Sequence, residues 1–247
     1  MANKFFYAEL MNELRKLVEE KGLFDEEVLI TGRILSEEEA IGSPQRRDYP
    51  LLKGKERLME ADFKGAKGQA FTDMAGNFNG TLKEVLDTPL KTNFDRAVLI
   101  ATANAVCRYL GLVENTVHCH DEEPEECASR LVEQIKQRFG APKIALIGLQ
   151  PAILEKLGCF FSVRVVDLDL DNIGKIKSGV LIEGPEAADG VLQWCDLIVA
   201  TGSTAANGSI VDYYDNKQDD RPVIFFGTTI AAASALMGLE RFCPLSS

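Results

Sequence analysis

From Lys143 onward the chain alternates short apolar runs with helical stretches, and this rhythm constrains the fold more than any other feature. Strand-like runs fall at 143–147, 163–168, 179–182, 197–200 and 223–226. Helical patterns fall at 151–157, 185–194, 210–216 and 230–237. Strands that alternate with helices build parallel sheets, because parallel neighbours need a long crossover connection. Short, right-handed connections then predict an α/β fold: a Rossmann-like parallel sheet with helices on both faces.

The most informative single stretch is Leu197-Ile198-Val199-Ala200-Thr201-Gly202-Ser203-Thr204-Ala205-Ala206-Asn207-Gly208-Ser209. An apolar run ends in glycine and hydroxyl residues, and a helical pattern opens at Ser209. Such a junction leaves backbone N–H groups unpaired: it can hold an anion or a polar ligand head, or it only connects and caps. Gly202 and Gly208 permit positive φ or close approach to a ligand. Phe226-Gly227-Thr228-Thr229 repeats the arrangement. On neighbouring strands the two loops would gather Thr201, Ser203, Asn207, Thr228 and Thr229 around one crevice. These read as ligand-binding donors rather than activated nucleophiles, since neither histidine falls in such a loop.

The first strand of this half ends at Gly148-Leu149-Gln150-Pro151, which lacks two of the three glycines of a dinucleotide fingerprint, so NAD is not predicted. Asp167 ends the second strand, where a carboxylate can grip a hydroxyl or act as a general base. The run from Asp167 to Gly174 fails as a calcium loop, with Asn172 at its sixth position and Ser178 at its twelfth.

In the first half, Phe6, Leu10, Leu14, Leu17 and Val18 recur at helical spacing up to a stop at Lys21-Gly22. Runs at 28–34, 57–63 and 68–72 predict strands in a small antiparallel meander. Ser43-Pro44-Gln45-Arg46-Arg47 reads as a solvated basic loop, or as two arginines able to hold a carboxylate or phosphate. The glycine-rich stretch 71–80, with Thr72 and Asp73, reads as a loop of the kind that carries function, or simply as a turn. Helices are expected at 81–87 and 93–110. In the second, Ala97, Ala101, Ala103 and Ala105 allow close packing, and Asn104 is either a structural bridge or, as preferred here, a pocket-lining group.

Between the halves, His118-Cys119-His120 places two imidazoles on one side of an extended segment. Imidazoles, a thiol and nearby carboxylates suit zinc, copper or nickel, but one strand face supplies only two ligands, and a solvated linker is the plainer reading. An amphipathic helix follows over 122–139. The six cysteines include no C-x-x-C pair and read as reduced thiols. Lys and Arg number 27 against 38 Asp and Glu, a net charge of −11, which disfavours nucleic acid and anionic membrane as partners. No apolar run approaches the ~18 residues of a membrane span. The opening residues lack the apolar core of a signal peptide, so a cytoplasmic location is expected.

Four motifs together carry a resemblance: Gly68-Gln69-Ala70-Phe71-Thr72, Ala103-Asn104-Ala105, the stretch from Thr201 to Ser209, and Phe226-Gly227-Thr228-Thr229. The chain resembles, over nearly its whole length, an uncharacterised prokaryotic "heavy-metal chelation" domain family of unknown function. That resemblance implies an enolase N-terminal-like α+β domain over 1–117, a Rossmann-like domain over 118–247, and an active site in the cleft between them. It puts the cleft motifs on Thr72, Asn104, Gly148, Asp167, Thr201, Gly202, Asn207 and Thr228, and points to a divalent heavy metal. Two features depart from the family: the loop 43–50 is longer and more basic, and His118-Cys119-His120 matches no family motif.

The resulting expectation is a protein that binds a small polar ligand or a metal chelate in an interdomain cleft. The histidines are its only conventional metal-ligand cluster. The alternative is an enzyme acting on a pterin-like or nucleotide-like molecule, with Asp167 or Asp73 as general base. The small-residue helix 230–237 leaves room for a homo-oligomer.

Overall fold

A computed structural model describes residues 5–33, 46, 48–49, 57–214 and 221–247. Arg47, most of the 43–50 loop and the end of the helix expected at 210–216 lie outside these residues.

Helix α1 (Phe5–Glu20) buries Phe6, Leu10, Leu14 and Val18, one residue per turn, and stops where Gly22 turns to φ 65. Strands β1 (Glu27–Arg33), β2 (Arg57–Phe63), β3 (Ala66–Thr72) and β4 (Phe78–Thr81) form an antiparallel sheet in the order β3-β2-β1-β4. The two-residue turn between β2 and β3 has Lys64 at φ 53 and Gly65 at φ 87, the paired positive φ that suits the right-handed twist of a hairpin. The meander is therefore present, with one correction. Phe78–Gly80, expected to be loop, and Thr81, expected to begin a helix, form an edge strand, because their backbone pairs with β1 from Glu27↔Thr81 to Ile30↔Phe78.

Thr81 and Glu84 form a reciprocal capping box that starts α2 (Leu82–Asp87), and Thr92 and Asp95 do the same for α3 (Asn93–Tyr109). Every residue of α3 from Arg96 to Cys107 is buried. A helix apolar on all sides belongs between layers. One side packs on β2 and β3, so closely that a Cβ at Gly68 would lie 2.2 Å from the Ala105 nitrogen. The alanines permit that approach, as their small size predicted.

Helix α4 (Glu123–Phe139) leads into the second sheet. Its strands are β5 (Ile144–Ile147), β6 (Val163–Val166), β7 (Ile176–Lys177), β8 (Val180–Glu183), β9 (Leu197–Thr201), β10 (Val223–Phe226) and β11 (Arg241–Phe242). Between them run α5 (Pro151–Gly158), α6 (Ala188–Trp194), α7 (Thr204–Asn207), α8 (Val211–Tyr214) and α9 (Ala231–Met237). The order is β11-β10-β9-β5-β6-β8-β7, parallel except for β7. From β5 the chain builds outward through β6 and β8, then returns to add β9 and β10 on the other side. The strand order thus reverses between β5 and β9.

Side-chain alternation decides what covers each face. Ile144, Leu146, Leu197, Val199, Ile224 and Phe226 pack with α4 and α5, whereas Ala145, Ile147, Ile198, Ala200 and Phe225 join the core that holds α1, α3 and the first sheet. The division at 117/118 falls between the two sheets, and one core runs across it. Tyr7 Oη adds a bond to the Ala205 carbonyl at 2.7 Å. No helix among the described residues is long and apolar enough to cross a membrane.

The segment after α3 is pinned rather than solvated. Gln69 N–H donates to Thr116 O at 3.1 Å, and Val117 exchanges two backbone hydrogen bonds with Ser247. The linker thereby covers the outer edge of β3, which would otherwise expose unpaired backbone.

Candidate functional site

A cleft of about 730 Å³ opens at the carboxyl ends of β5, β6, β9 and β10. This is where an open α/β sheet binds ligands, outside the strand ends at the point where strand order reverses. The opposite wall comes from the end of β3, the linker, the start of α4 and the segment around Cys243.

The β5 and β9 loops meet at the reversal. Gly148 has φ 84, and a Cβ there would stand 2.4 Å from Thr201 Cγ2, so only glycine fits. Gly202 serves close approach, since its Cβ would come within 2.8 Å of the Ile230 nitrogen. The following helix opens at Thr204 and not at Ser209. Thr204 Oγ1 donates to Thr201 O at 2.7 Å, and Arg96 Nε donates to Ala206 O at 3.0 Å, capping the other end of this short turn. Gly208, at φ 93, ends it.

Of the residues singled out in the sequence, Thr72, Asp73, His118, Gly148, Asp167, Thr201, Gly202, Ser203, Asn207, Thr228 and Thr229 all line the cleft. Asn104 and His120 do not. Asn104 is fully buried and acts as a bridge: its Nδ2 donates to Gln69 O at 2.8 Å and to Thr228 O and Thr229 O at 3.2 Å. Its Oδ1 accepts from Ala232 N–H at 2.7 Å. The pocket-lining expectation for Asn104 is thus corrected. It ties β3 to the β10 loop and to α9 from behind.

Asp167 also braces. Its Oδ2 accepts from Leu149 N–H at 2.7 Å, and its Oδ1 from Asp169 N–H at 2.9 Å and Asn172 Nδ2 at 3.3 Å. Asp73 is exposed at the cleft and accepts from Asn93 Nδ2 at 2.7 Å. The run after Asp167 forms successive side-chain-to-backbone turns, with Asp169 Oδ1 accepting from Asp171 N–H at 2.9 Å. Arg46 holds no anion in the cleft. It pairs with Asp48, Glu125 and Glu155 at 2.7, 2.8 and 2.5 Å.

Two hydroxyls stand apart. Thr228 Oγ1 and Tyr49 Oη belong to residues only 3% and 2% exposed, both line the cleft, and neither has a hydrogen-bond partner. Burial pushes the Tyr49 phenol pKa up, so it remains a donor. Asp73, Asp167, Asp169, Asp171 and Asp212 line the cleft, and among the described residues no Lys or Arg does.

Sequence reasoning missed Tyr49 and the convergence of Cys119, Cys127 and Cys243, which reach the cleft from three separate segments. All six cysteines are free, as expected. Burial and the neighbouring thiols push Cys119 up to about 12 and Cys127 up to about 11, so both are thiols rather than thiolates at neutral pH. Among the described residues no group of three or more His, Cys, Asp or Glu side chains is placed to hold a metal ion. His118 falls in neither hydroxyl loop, as its position in the sequence implies, but the pinned linker delivers it to the same cleft. The His120 ring lies 4.6 Å from that of His118, centroid to centroid.

Residues 131–240 match the family model described as "DUF364: Putative heavy-metal chelation". The chain resembles the DUF364 family. A DUF364 protein of unknown function from Pyrococcus horikoshii superposes with a TM-score of 0.55 at 17% identity, over 89% of this chain and 79% of that one. A second, from Desulfitobacterium hafniense, gives 0.49 at 14% identity over 73% and 72% of the two chains. The first shares the fold. No curated protein matches. The DUF364 match covers the strand-end loops around Gly148, Asp167, Thr201 and Thr228, whereas Thr72, Asp73, His118 and Tyr49 come to the cleft from outside it.

Proposed function

We propose that this protein binds a small polar ligand or a metal chelate in the cleft, in the service of heavy-metal chelation or metal-cofactor handling. The observation that carries the reading is the unpartnered Thr228 hydroxyl. A buried polar group left unsatisfied costs about 1–3 kcal/mol, a cost that a ligand's acceptor or donor would remove. Tyr49 Oη adds a second such group in the same cavity. Apolar residues such as Phe71, Leu149 and Phe226 supply a surface for the ligand's body.

The enzyme reading draws less support. A general base must be able to take a proton, and three protein donors already engage the oxygens of Asp167. Its role is to hold the β5 and β6 loops together.

Native mass spectrometry of protein purified without chelator, with elemental analysis of the same sample, tests the reading. A retained small-molecule mass, alone or with a metal, is expected. Protein that carries neither, and gains neither from a metabolite extract of its host, contradicts the proposal.

A further inference from the structure

Three free thiols gather where the linker, α4 and the segment after β11 form one wall of the cleft. Cys243 is the centre of the group: after burial, it is the neighbour that acts most on both Cys119 and Cys127. Cys127 is tied to the same turn, because its sulfur accepts from the backbone N–H of Leu245, close after Cys243 in the chain. Ser246 closes that turn, its Oγ donating to Cys243 O at 3.3 Å. Both sulfurs can be reached. Cys127 and Cys243 are half-buried and line the cleft, and Cys243 also lines a second cavity beside α9.

What marks Cys243 is Arg241. This arginine is partly buried, and it places its Nε on Gly227 O at 2.9 Å and its Nη2 on Asn115 O at 2.6 Å. Both partners are neutral carbonyls. Burial lowers the Arg241 pKa, and Cys243 is the ionisable neighbour that opposes this, through charge and a hydrogen bond. A cation drawn out of water favours an anion beside it, so the guanidinium supports the thiolate through which a cysteine attacks. Ser246 Oγ, 3.0 Å from the same sulfur, is a second group able to donate to it. Cys195 also meets an arginine, with Arg221 Nη1 at 3.5 Å, but that thiol is buried and lines neither cavity.

We propose that Cys243 is a site of reversible oxidation by a hydroperoxide, and that Cys127 resolves it into a disulfide across the cleft wall. With hydrogen peroxide, the Cys243 thiolate attacks one oxygen and the O–O bond breaks. The hydroxide released takes up the proton that the thiol gave and leaves as water. Cys243 is then a sulfenic acid. The Cys127 thiol attacks that sulfur, the S–O bond breaks, and the departing hydroxide carries off the Cys127 proton as water. In sum, a pair of thiols is oxidised to a disulfide and one peroxide is reduced to water. The new bond joins the start of α4 to the segment after β11, so oxidation alters the wall that faces the strand-end loops.

Cys159 is exposed, which makes it a reference thiol within the same chain. The full chain is treated with limiting hydrogen peroxide, remaining thiols are blocked with N-ethylmaleimide, and products are mapped by mass spectrometry. Half-buried Cys243 is expected to oxidise about tenfold or more faster than Cys159. A disulfide joining Cys127 to Cys243, reversed by dithiothreitol, is the expected product. In Cys127→Ser, dimedone should trap a sulfenic acid on Cys243. Arg241→Gln should slow Cys243 about tenfold and leave Cys159 unchanged. If that variant does not fold, the ratio of Cys243 to Cys159 in the parent still decides. Cys159 oxidised as fast as Cys243 overturns the proposal, as does an unchanged Cys243 rate in folded Arg241→Gln. A disulfide that joins Cys119 to Cys243, or no trapped sulfenic acid in Cys127→Ser, overturns it equally.

Discussion

Two loops of this protein look alike in sequence and differ in what they leave open. Each is a strand running into glycine, then hydroxyl residues, then a helix. In the β9 loop the polar groups satisfy one another. Ser203 N–H donates to Thr201 Oγ1 at 3.3 Å, and Tyr213 Oη bonds Thr204 Oγ1. Asn207 Oδ1 accepts from the Ser209 amide and hydroxyl at 2.9 and 2.8 Å. In the β10 loop, Thr229 Oγ1 accepts from Phe71 N–H at 3.2 Å and Asn104 grips both threonine carbonyls, yet Thr228 Oγ1 is left without a partner. The first loop builds the wall of the cleft. The second leaves one buried hydroxyl without a partner. Two hydroxyl-rich strand ends of similar sequence therefore differ in how completely their polar groups are satisfied, and the proposed ligand contact falls on the one left unsatisfied.

Substitutions can break or sharpen this contrast. The largest effect is expected at Asn104→Ala, which strips partners from three carbonyls and one N–H in the core. A loss of about 3 kcal/mol or more in urea-unfolding stability follows from the cost of buried unsatisfied groups. Gly202→Ala comes next, at about 2 kcal/mol, because its Cβ meets the Ile230 backbone, which cannot swing aside. Gly227→Ala should cost about 1 kcal/mol, since its site is open and the penalty is that of φ 90 for an L-residue. If the two glycine variants are equally destabilised, the loops do not differ as described. The smallest effect on stability belongs to Thr228→Val, within about 1 kcal/mol of the parent, because removing an unsatisfied hydroxyl takes no bond with it.

The sequence carried the architecture where local pattern suffices. Apolar runs ending in Gly148, Asp167, Gly202 and Gly227 marked the parallel strands and the loops at their ends. It failed where short elements depend on distant partners. Phe78–Thr81 has one large apolar residue and is a strand because β1 pairs with it. Thr204–Asn207 is helical with Arg96, from α3, on its terminal carbonyls. In the site, Asn104 was visible as a polar residue in an apolar helix, but its bridging role depends on loops more than 100 positions away. Tyr49, His118 and the three cysteines gave no local signal of a shared cavity, because contact between remote segments makes it.

The central claim is that the β10 loop presents a ligand contact, and the most direct measurement sets Thr228→Val beside the parent protein in native mass spectrometry. Both proteins are prepared without chelator and matched for folding by unfolding curves. The account predicts a small-molecule or metal-bearing adduct on the parent that is lost or sharply reduced in the equally stable variant. An adduct retained in full by Thr228→Val would contradict it.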